Sequence, residues 1–485
     1  MTFNSWEFIL FYPLVLLLYF VLPKRAKWPM LLFASYFFYM CYQPQLVFLI
    51  FGTTLISWAM SNVIEKSEKL LYKRLALAAT LISSLGVLFF YKYFDFLSET
   101  IFDIASLFGY RGDSFALSLM LPVGISFYTF QTLSYVIDVY RGDVKTEKNF
   151  FFYALFVSFF PQLVAGPIER PGNLIPQLKE EHKWDNGNAI AGGKMMIIGF
   201  FKKICVADLF AGVVNSVYNN PSEASAIGVI IATILFAVQI YCDFSGYTDI
   251  AIGCARIMGI RLMKNFDRPY CATSIKEFWS RWHISLSSWF RDYLYIPLGG
   301  NRVPKWRNLL NLFIVFLVSG LWHGAAWTFV LWGALHGVYQ IVGKLTINSR
   351  NNLIHKLGYS ENSKGVIIAR RIITFILVDL AWLLFRANSI GDAAVLLKRL
   401  FVGWDISIVE AFKNIGLSLE MILLAVFSLV ILFFFERMVT YDTLDGKPDA
   451  LVKNGSFIYS VLAVVIVWCL LLSKDMISTF IYFQF

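Results

Sequence analysis

Five histidines, at 182, 283, 323, 336 and 355, are the residues of this chain best suited to proton transfer near neutral pH. His182 and His355 stand in polar stretches and read as solvated side chains. The other three are embedded in apolar sequence. His323 lies near the middle of Asn308–Tyr339, and from Leu309 to Val342 there is no charged residue at all. A continuous helix over that stretch would be roughly 50 Å long, against a hydrocarbon core of about 30 Å. The run is too long for one membrane span and tight for two. Gly320 and Gly324 mark where a break has to come, with His323 between them. Irregular backbone at membrane depth is tolerated where it is buried in protein or lines a wet cavity, so an imidazole there is a candidate functional group. The plainer alternative is a histidine capping a short hairpin in the headgroup layer.

His283 sits in Ser274–Tyr295, SIKEFWSRWHISLSSWFRDYLY. At 100° per residue, Ile275, Phe278, Trp279, Trp282, Leu286, Trp289, Phe290 and Tyr293 fall within an arc of about 120°, opposite the charged and hydroxyl residues. This predicts an amphipathic helix lying at the membrane interface. His283 lies on the border of the two faces, either reaching the interface or facing a cavity beneath. His336 would be roughly 220° from His323 on one continuous helix, so it is expected to bond a neighbouring helix instead. Asp243 and Asp249 are acids inside an apolar run; they form part of a proton or ion path, or they bond Ser245, Thr248 or a lysine. Asp379 and Arg386 make an ion pair or line a polar cavity. The tryptophans at 279, 282, 289, 322, 327 and 332 read as interface belt and core.

The elements that position these groups are transmembrane. The chain of 485 residues is 58% hydrophobic and 15% charged, where soluble domains carry about 25% charged residues. We expect a single all-α polytopic unit over residues 1–485, with about eleven spans and additional interfacial or re-entrant helices. The net charge of +10 is spread over short basic loops at 24–27, 65–74 and 141–148. Those loops report a cytoplasmic side rather than nucleic acid. Phe8–Leu22 has no base ahead of it, so it reads as an uncleaved first span with the N-terminus outside. Met30–Tyr42 and Leu46–Met60 make a hairpin, Leu75–Tyr91 crosses outward, residues 92–114 form an outer loop and Phe115–Val139 returns. Four prolines break 161–178. Ala189–Val214 carries Lys194, Lys202, Lys203 and Asp208 and is expected partly in the interface. Val366–Phe385, Leu417–Phe435 and Phe457–Leu472 are the last spans. The six cysteines are scattered without a CxxC pair, so neither a disulfide framework nor a metal site is indicated. There is no HExxH and no phosphate-binding loop, and GISFY at 124–128 lacks the closing glycine of a nucleophile elbow.

Two long blocks, EFWSRWHISLSSWFRDYLYIPLGGNR (277–302) and SGLWHGAAWTFVLWGALHG (319–337), resemble the membrane-bound O-acyltransferases, in the bacterial branch that serves alginate-type exported polysaccharides. PQLVAGPIERP (161–171), QIYCDFSGYTDIAIG (239–253), AWLLFRA (381–387) and FIYFQF (480–485) are similar to the same branch. The resemblance implies spans ringed around a central tunnel in the inner (cytoplasmic) membrane. It implies acyl transfer from a cytoplasmic thioester, acetyl-CoA by expectation, to a polysaccharide hydroxyl handled outside. No bound cofactor or metal is implied. The family's two active-site histidines fall on His323 and His283, and Trp282, Trp322, Asp243 and Ser319 are the expected substrate contacts. A hydroxyl needs a base to attack a thioester at neutral pH. His323 is the expected base, with His283 orienting the donor or stabilising the oxyanion, and an acyl-histidine remains open. The branch also implies a separate extracytoplasmic partner, an SGNH-hydrolase-like acetyltransferase, beside membrane lipid and the glycan. Two other readings stay open: D-alanyl transfer to teichoic acids, and a proton-coupled transporter using Asp243, Asp249 and the histidines.

Overall fold

A chain this apolar can hide its backbone polar groups only by bonding them internally, and a helix does that within one segment. The computed structural model describes residues 1–42, 44–438 and 463–469, and the described residues contain helices and no strand. Among the described residues, four helical stretches are able by length and composition to cross a bilayer: Pro44–Lys66, Leu70–Leu107, Ala226–Ile257 and Leu419–Arg437, with Trp6–Val21 a shorter apolar helix. The chain separates into two compact units, Met1–Met196 with Tyr247–Met263, and Ile197–Gly246 with Lys264–Phe485.

The first unit holds α1 (Trp6–Val21), α2 (Lys24–Met40), α3 (Val47–Lys66), α4 (Leu70–Leu88), α5 (Phe94–Leu107), α6 (Ile125–Arg141), α7 (Phe150–Ser158), α8 (Phe160–Leu163), α9 (Pro171–Lys179) and most of α10 (Asn186–Phe200). Their outward faces are apolar, with Leu10, Leu17, Phe48 and Ile82 among the exposed residues, as helices solvated by lipid require. Small hydroxyl residues turn inward instead. Thr54 and Ser57 on α3 are buried and bond carbonyls of their own helix, and Ser57 also meets the Tyr153 hydroxyl at 2.8 Å. The sequence suggests an outer loop over 92–114. The structure instead continues α4 through a wide turn at 89–93 into α5. The Asp95 carboxylate then accepts the backbone N–H groups of Leu117 and Ser118 and ties down the return segment.

The second unit begins with a π-helical turn over Phe201–Ala207 and α11 (Asp208–Tyr218). It continues with the first part of α12 (Ala226–Ile257), whose last residues belong to the first unit. Then come α13 (Ile275–Arg281), α14 (Ile284–Phe290), α15 (Lys305–His323), α16 (Trp327–Lys356), α17 (Lys364–Arg386), α18 (Ile390–Val402), α19 (Ile408–Asn414) and α20 (Leu419–Met438). α15 and α16 form a tight antiparallel pair. At their crossing, a Cβ on Gly320 would lie 3.1 Å from the Cα of Gly333 and closer still to the carbonyl oxygen of Phe329. Two glycines are what let these backbones touch. Of the last expected span, Phe457–Leu472, residues 463–469 are helical. Its remainder and the FIYFQF segment lie outside the described residues.

Candidate active site

The amphipathic stretch 274–295 is broken where a continuous wheel hides the break. Ser274 caps α13 by accepting the N–H of Glu277, while the Glu277 carboxylate accepts from Thr273 N and Oγ1, each at 2.7 Å. The helix stops after Arg281, because Trp282 is extended (φ −102°, ψ 128°) and His283 is left-handed (φ 43°, ψ 55°). A non-glycine residue there stores roughly 1–3 kcal/mol and must be held by its surroundings. Asn265 holds it. Its carbonyl accepts Ile284 N at 2.8 Å, and its side-chain oxygen takes Ser285 N at 3.2 Å, Ser285 Oγ at 2.9 Å and His283 Nδ1 at 3.1 Å.

That arrangement assigns the tautomer of His283. A backbone N–H can only donate, so the Asn265 atom it meets is the amide oxygen, an acceptor. His283 Nδ1 therefore donates its hydrogen to Asn265, and in the neutral ring the lone pair sits on Nε2. The ring is fully buried, with Phe244 packed edge-on at 4.7 Å.

His323 is the last residue of α15, so the chain breaks immediately after it. Gly324 and Ala326 are extended and α16 restarts at Trp327. The broken hairpin expected from Gly320 and Gly324 is present. His323 is 4% exposed and walled by Trp322 at 4.9 Å, Trp332 at 5.0 Å and Phe385 at 5.5 Å. Trp322 also packs on His283 at 5.8 Å, so one indole lies against both imidazoles. The loop IPLGGNR is pinned to α15 by Asn308, which donates to Tyr295 Oη and Gly300 O, and by Asn311, which donates to Leu298 O. The two motif blocks thus meet through His283, Trp322 and His323.

The remaining candidates fall as follows. Trp282 is fully buried and packs on Phe266 at 5.1 Å, Phe278 at 5.5 Å and Trp382 at 5.0 Å. Ser319 is buried on α15 one turn before His323. Asp243 lies beside Phe244 in the chain, but its carboxylate receives Lys203 Nζ at 2.7 Å, and the same ammonium reaches Asp208 at 2.9 Å. Next to this cluster Lys202 pairs with Glu436 at 3.0 Å, which also accepts the Tyr241 hydroxyl. Lys202, Lys203 and Asp208 are therefore buried and paired inside the protein: Lys203 joins Asp208 to Asp243 on α12, and Lys202 meets Glu436 on α20. His336 does bond a neighbouring helix: its Nδ1 accepts Trp279 Nε1–H at 3.2 Å. Arg386 turns to Asn215 and Asn388 rather than to Asp379, so of the two alternatives for this pair the ion pair does not form. Sequence reasoning passed over Asn265, which stands between Lys264 and Asp267 in a charged stretch and carries no signal of its own. It also passed over Glu169, in the non-helical link between α8 and α9. That carboxyl is fully buried, accepts from Asn173 and Met263 N, and is pushed up to about 7 by burial.

Comparison with known proteins bears on what this geometry serves. The profile of the membrane-bound O-acyltransferase family matches residues 144–376, which include both histidine blocks. The chain is 36% identical over 464 residues to a probable alginate O-acetylase AlgI of Pseudomonas aeruginosa, covering 94% of this chain and 85% of that one. It is 36% identical over 430 residues to a peptidoglycan O-acetyltransferase of Helicobacter pylori, covering 82% and 79%. With a teichoic acid D-alanyltransferase of Streptococcus thermophilus it shares 29% identity over 298 residues, covering 55% and 69%.

Proposed function

Since this chain belongs to the membrane-bound O-acyltransferase family and is an O-acyltransferase, we propose that it moves an acetyl group from acetyl-CoA on the cytoplasmic side to an exported polysaccharide. The observation that carries the reading is the pair His283 and His323, both buried and both packed against Trp322. In this reading His323 is the general base that takes the proton of the attacking hydroxyl. His283 has its hydrogen committed to Asn265, so its Nε2 has a lone pair to offer and no proton to give. We therefore keep its role of orienting the donor, through an N–H or O–H group that its Nε2 can accept, and withdraw the oxyanion role. Trp282, Trp322 and Ser319 border the reacting groups. Asp243 belongs to the Lys203 cluster and adjoins in the chain Phe244, which packs on His283. The finer architecture belongs to the same proposal: about eleven spans around a tunnel, the N-terminus outside, and an SGNH-hydrolase-like partner that completes delivery to the glycan.

Names of relatives that act on alginate and on peptidoglycan favour acetate and a glycan acceptor. The teichoic acid D-alanyltransferase match supports D-alanyl transfer as the second reading, over a smaller part of the chain. Ester-linked acetate and ester-linked D-alanine on the cell-surface polymers of wild-type and deletion strains separate the two. Loss of acetate alone supports the proposal, and loss of D-alanine alone replaces it with the second reading.

A further inference from the structure

Acyl transfer from a thioester builds negative charge on the acyl carbonyl oxygen, and a buried site must meet it with hydrogen-bond donors. With His283 Nε2 an acceptor, that donor has to come from elsewhere. Trp332 is the residue of α16 that packs edge-on against His323, with ring centroids 5.0 Å apart. It is fully buried, and its Nε1–H meets no acceptor among the described residues. An indole N–H can only donate, and stranding one inside a protein is costly. Buried polar groups left so are uncommon and call for an explanation. Its neighbours fix the ring tightly: Phe385 at 5.2 Å, Trp382 stacked at 5.8 Å and His336 at 4.9 Å. The Gly320–Gly333 crossing sets α16 against α15 beside it. A rigid, unspent, neutral donor beside the proposed base suits an oxygen that becomes charged only as the reaction proceeds.

We propose that the Trp332 indole N–H is the oxyanion donor of this enzyme, an assignment that rests on the acyl-transfer reading above. The hydroxyl oxygen bonds to the carbonyl carbon, its proton passes to His323, and the C=O π pair moves onto the oxygen held by Trp332. Collapse re-forms C=O and breaks the C–S bond, and the thiolate leaves as a thiol with the proton returned by His323.

The test uses the full chain in membrane vesicles with its glycan-export machinery, following free thiol released from acetyl-CoA. Trp332→Phe keeps the ring and removes the N–H, and Trp332→His keeps a ring donor. Trp332→Phe is expected to lower kcat by about 10²-fold with KM for acetyl-CoA little changed, and Trp332→His to recover part of the loss. Exchanging the donor carbonyl oxygen for sulfur should slow the wild type markedly and Trp332→Phe much less, since the bond in question is already gone. Wild-type kcat in Trp332→Phe, or an equal effect of the sulfur exchange on both proteins, overturns the assignment. His323→Ala is run alongside. If it stays fully active, the acyl-transfer reading itself has failed; if it is inactive while Trp332→Phe is not, only the Trp332 assignment has.

Discussion

Replacing Asn265 with alanine removes an amide oxygen that accepts Ser285 N, Ser285 Oγ and His283 Nδ1, at 3.2, 2.9 and 3.1 Å. All three partners are buried. Neutral hydrogen bonds contribute about 1 kcal/mol each, and stranded donors add to the loss, so the folded state should weaken by roughly 2–4 kcal/mol. The effect on turnover is separate. Without the acceptor, neutral His283 no longer keeps its hydrogen on Nδ1 and its lone pair on Nε2, and the left-handed turn loses one of its two restraints. The other, Ile284 N to the Asn265 carbonyl, survives the substitution. Removing the partner that orients a functional histidine costs between about 10-fold and 10⁴-fold in rate, and the surviving restraint points to the lower half of that range. Thiol release from acetyl-CoA, measured at matched abundance with a thermal-unfolding curve in detergent, reads both effects. Asn265→Asp retains side-chain acceptors in the same place and should keep more activity than Asn265→Ala. Wild-type turnover in Asn265→Ala, or equal losses in the two variants, refutes the tautomer argument.

Other consequences are open to measurement. Gly333→Val places a branched side chain where even a Cβ would lie 3.0 Å from the Cα of Gly320 and closer still to the Phe316 carbonyl oxygen, so α15 and α16 must separate. Folded protein should fall several-fold in detergent, and an unchanged yield and activity would contradict the close crossing. Lys203→Met leaves Asp208 and Asp243 buried without the ammonium between them, a loss of about 3–5 kcal/mol. The triple change with Asp208→Asn and Asp243→Asn should regain much of it, and a single variant as stable as wild type would show the cluster is not what holds these helices. Glu169 has a folded pKa of about 7 against an ordinary 4.5, with burial the cause. Its ionised form is the one the folded chain disfavours, so the cost is absent below about pH 4.5, grows as pH rises, and is complete above about pH 7, at about 3 kcal/mol. Glu169→Gln should flatten that slope in thermal unfolding; an identical slope in both proteins would count against it.

How much of this was legible in the sequence depends on how local each signal is. The break after His323 was readable because an uncharged run longer than a bilayer must interrupt itself, and glycines stood at the place. The break at His283 was not, since the apolar residues of 274–295 keep helical spacing across a turn that interrupts the helix. What makes that turn is Asn265, eighteen residues earlier, and no pattern within the segment records it. Lys202, Lys203 and Asp208 looked too costly for a buried helix because Asp243 and Glu436 lie on other elements. Asp379 and Arg386 sit two turns apart on α17 and suggested a pair. The guanidinium instead found Asn215, which tertiary packing supplies and spacing does not. Trp332 reads as core, and by burial it is; its contact with His323 and its unsatisfied N–H come from tertiary packing, which spacing does not record.

The proposed chemistry depends on His323. Membranes carrying wild-type protein, His323→Ala and His323→Gln at equal abundance are supplied with acetyl-CoA, and thiol release is followed together with ester acetate on the exported glycan. We predict loss of both signals in both variants, by at least about 10²-fold, as removal of a general base requires. Wild-type rates in either variant would remove His323 from the chemistry and with it the mechanism proposed for this site.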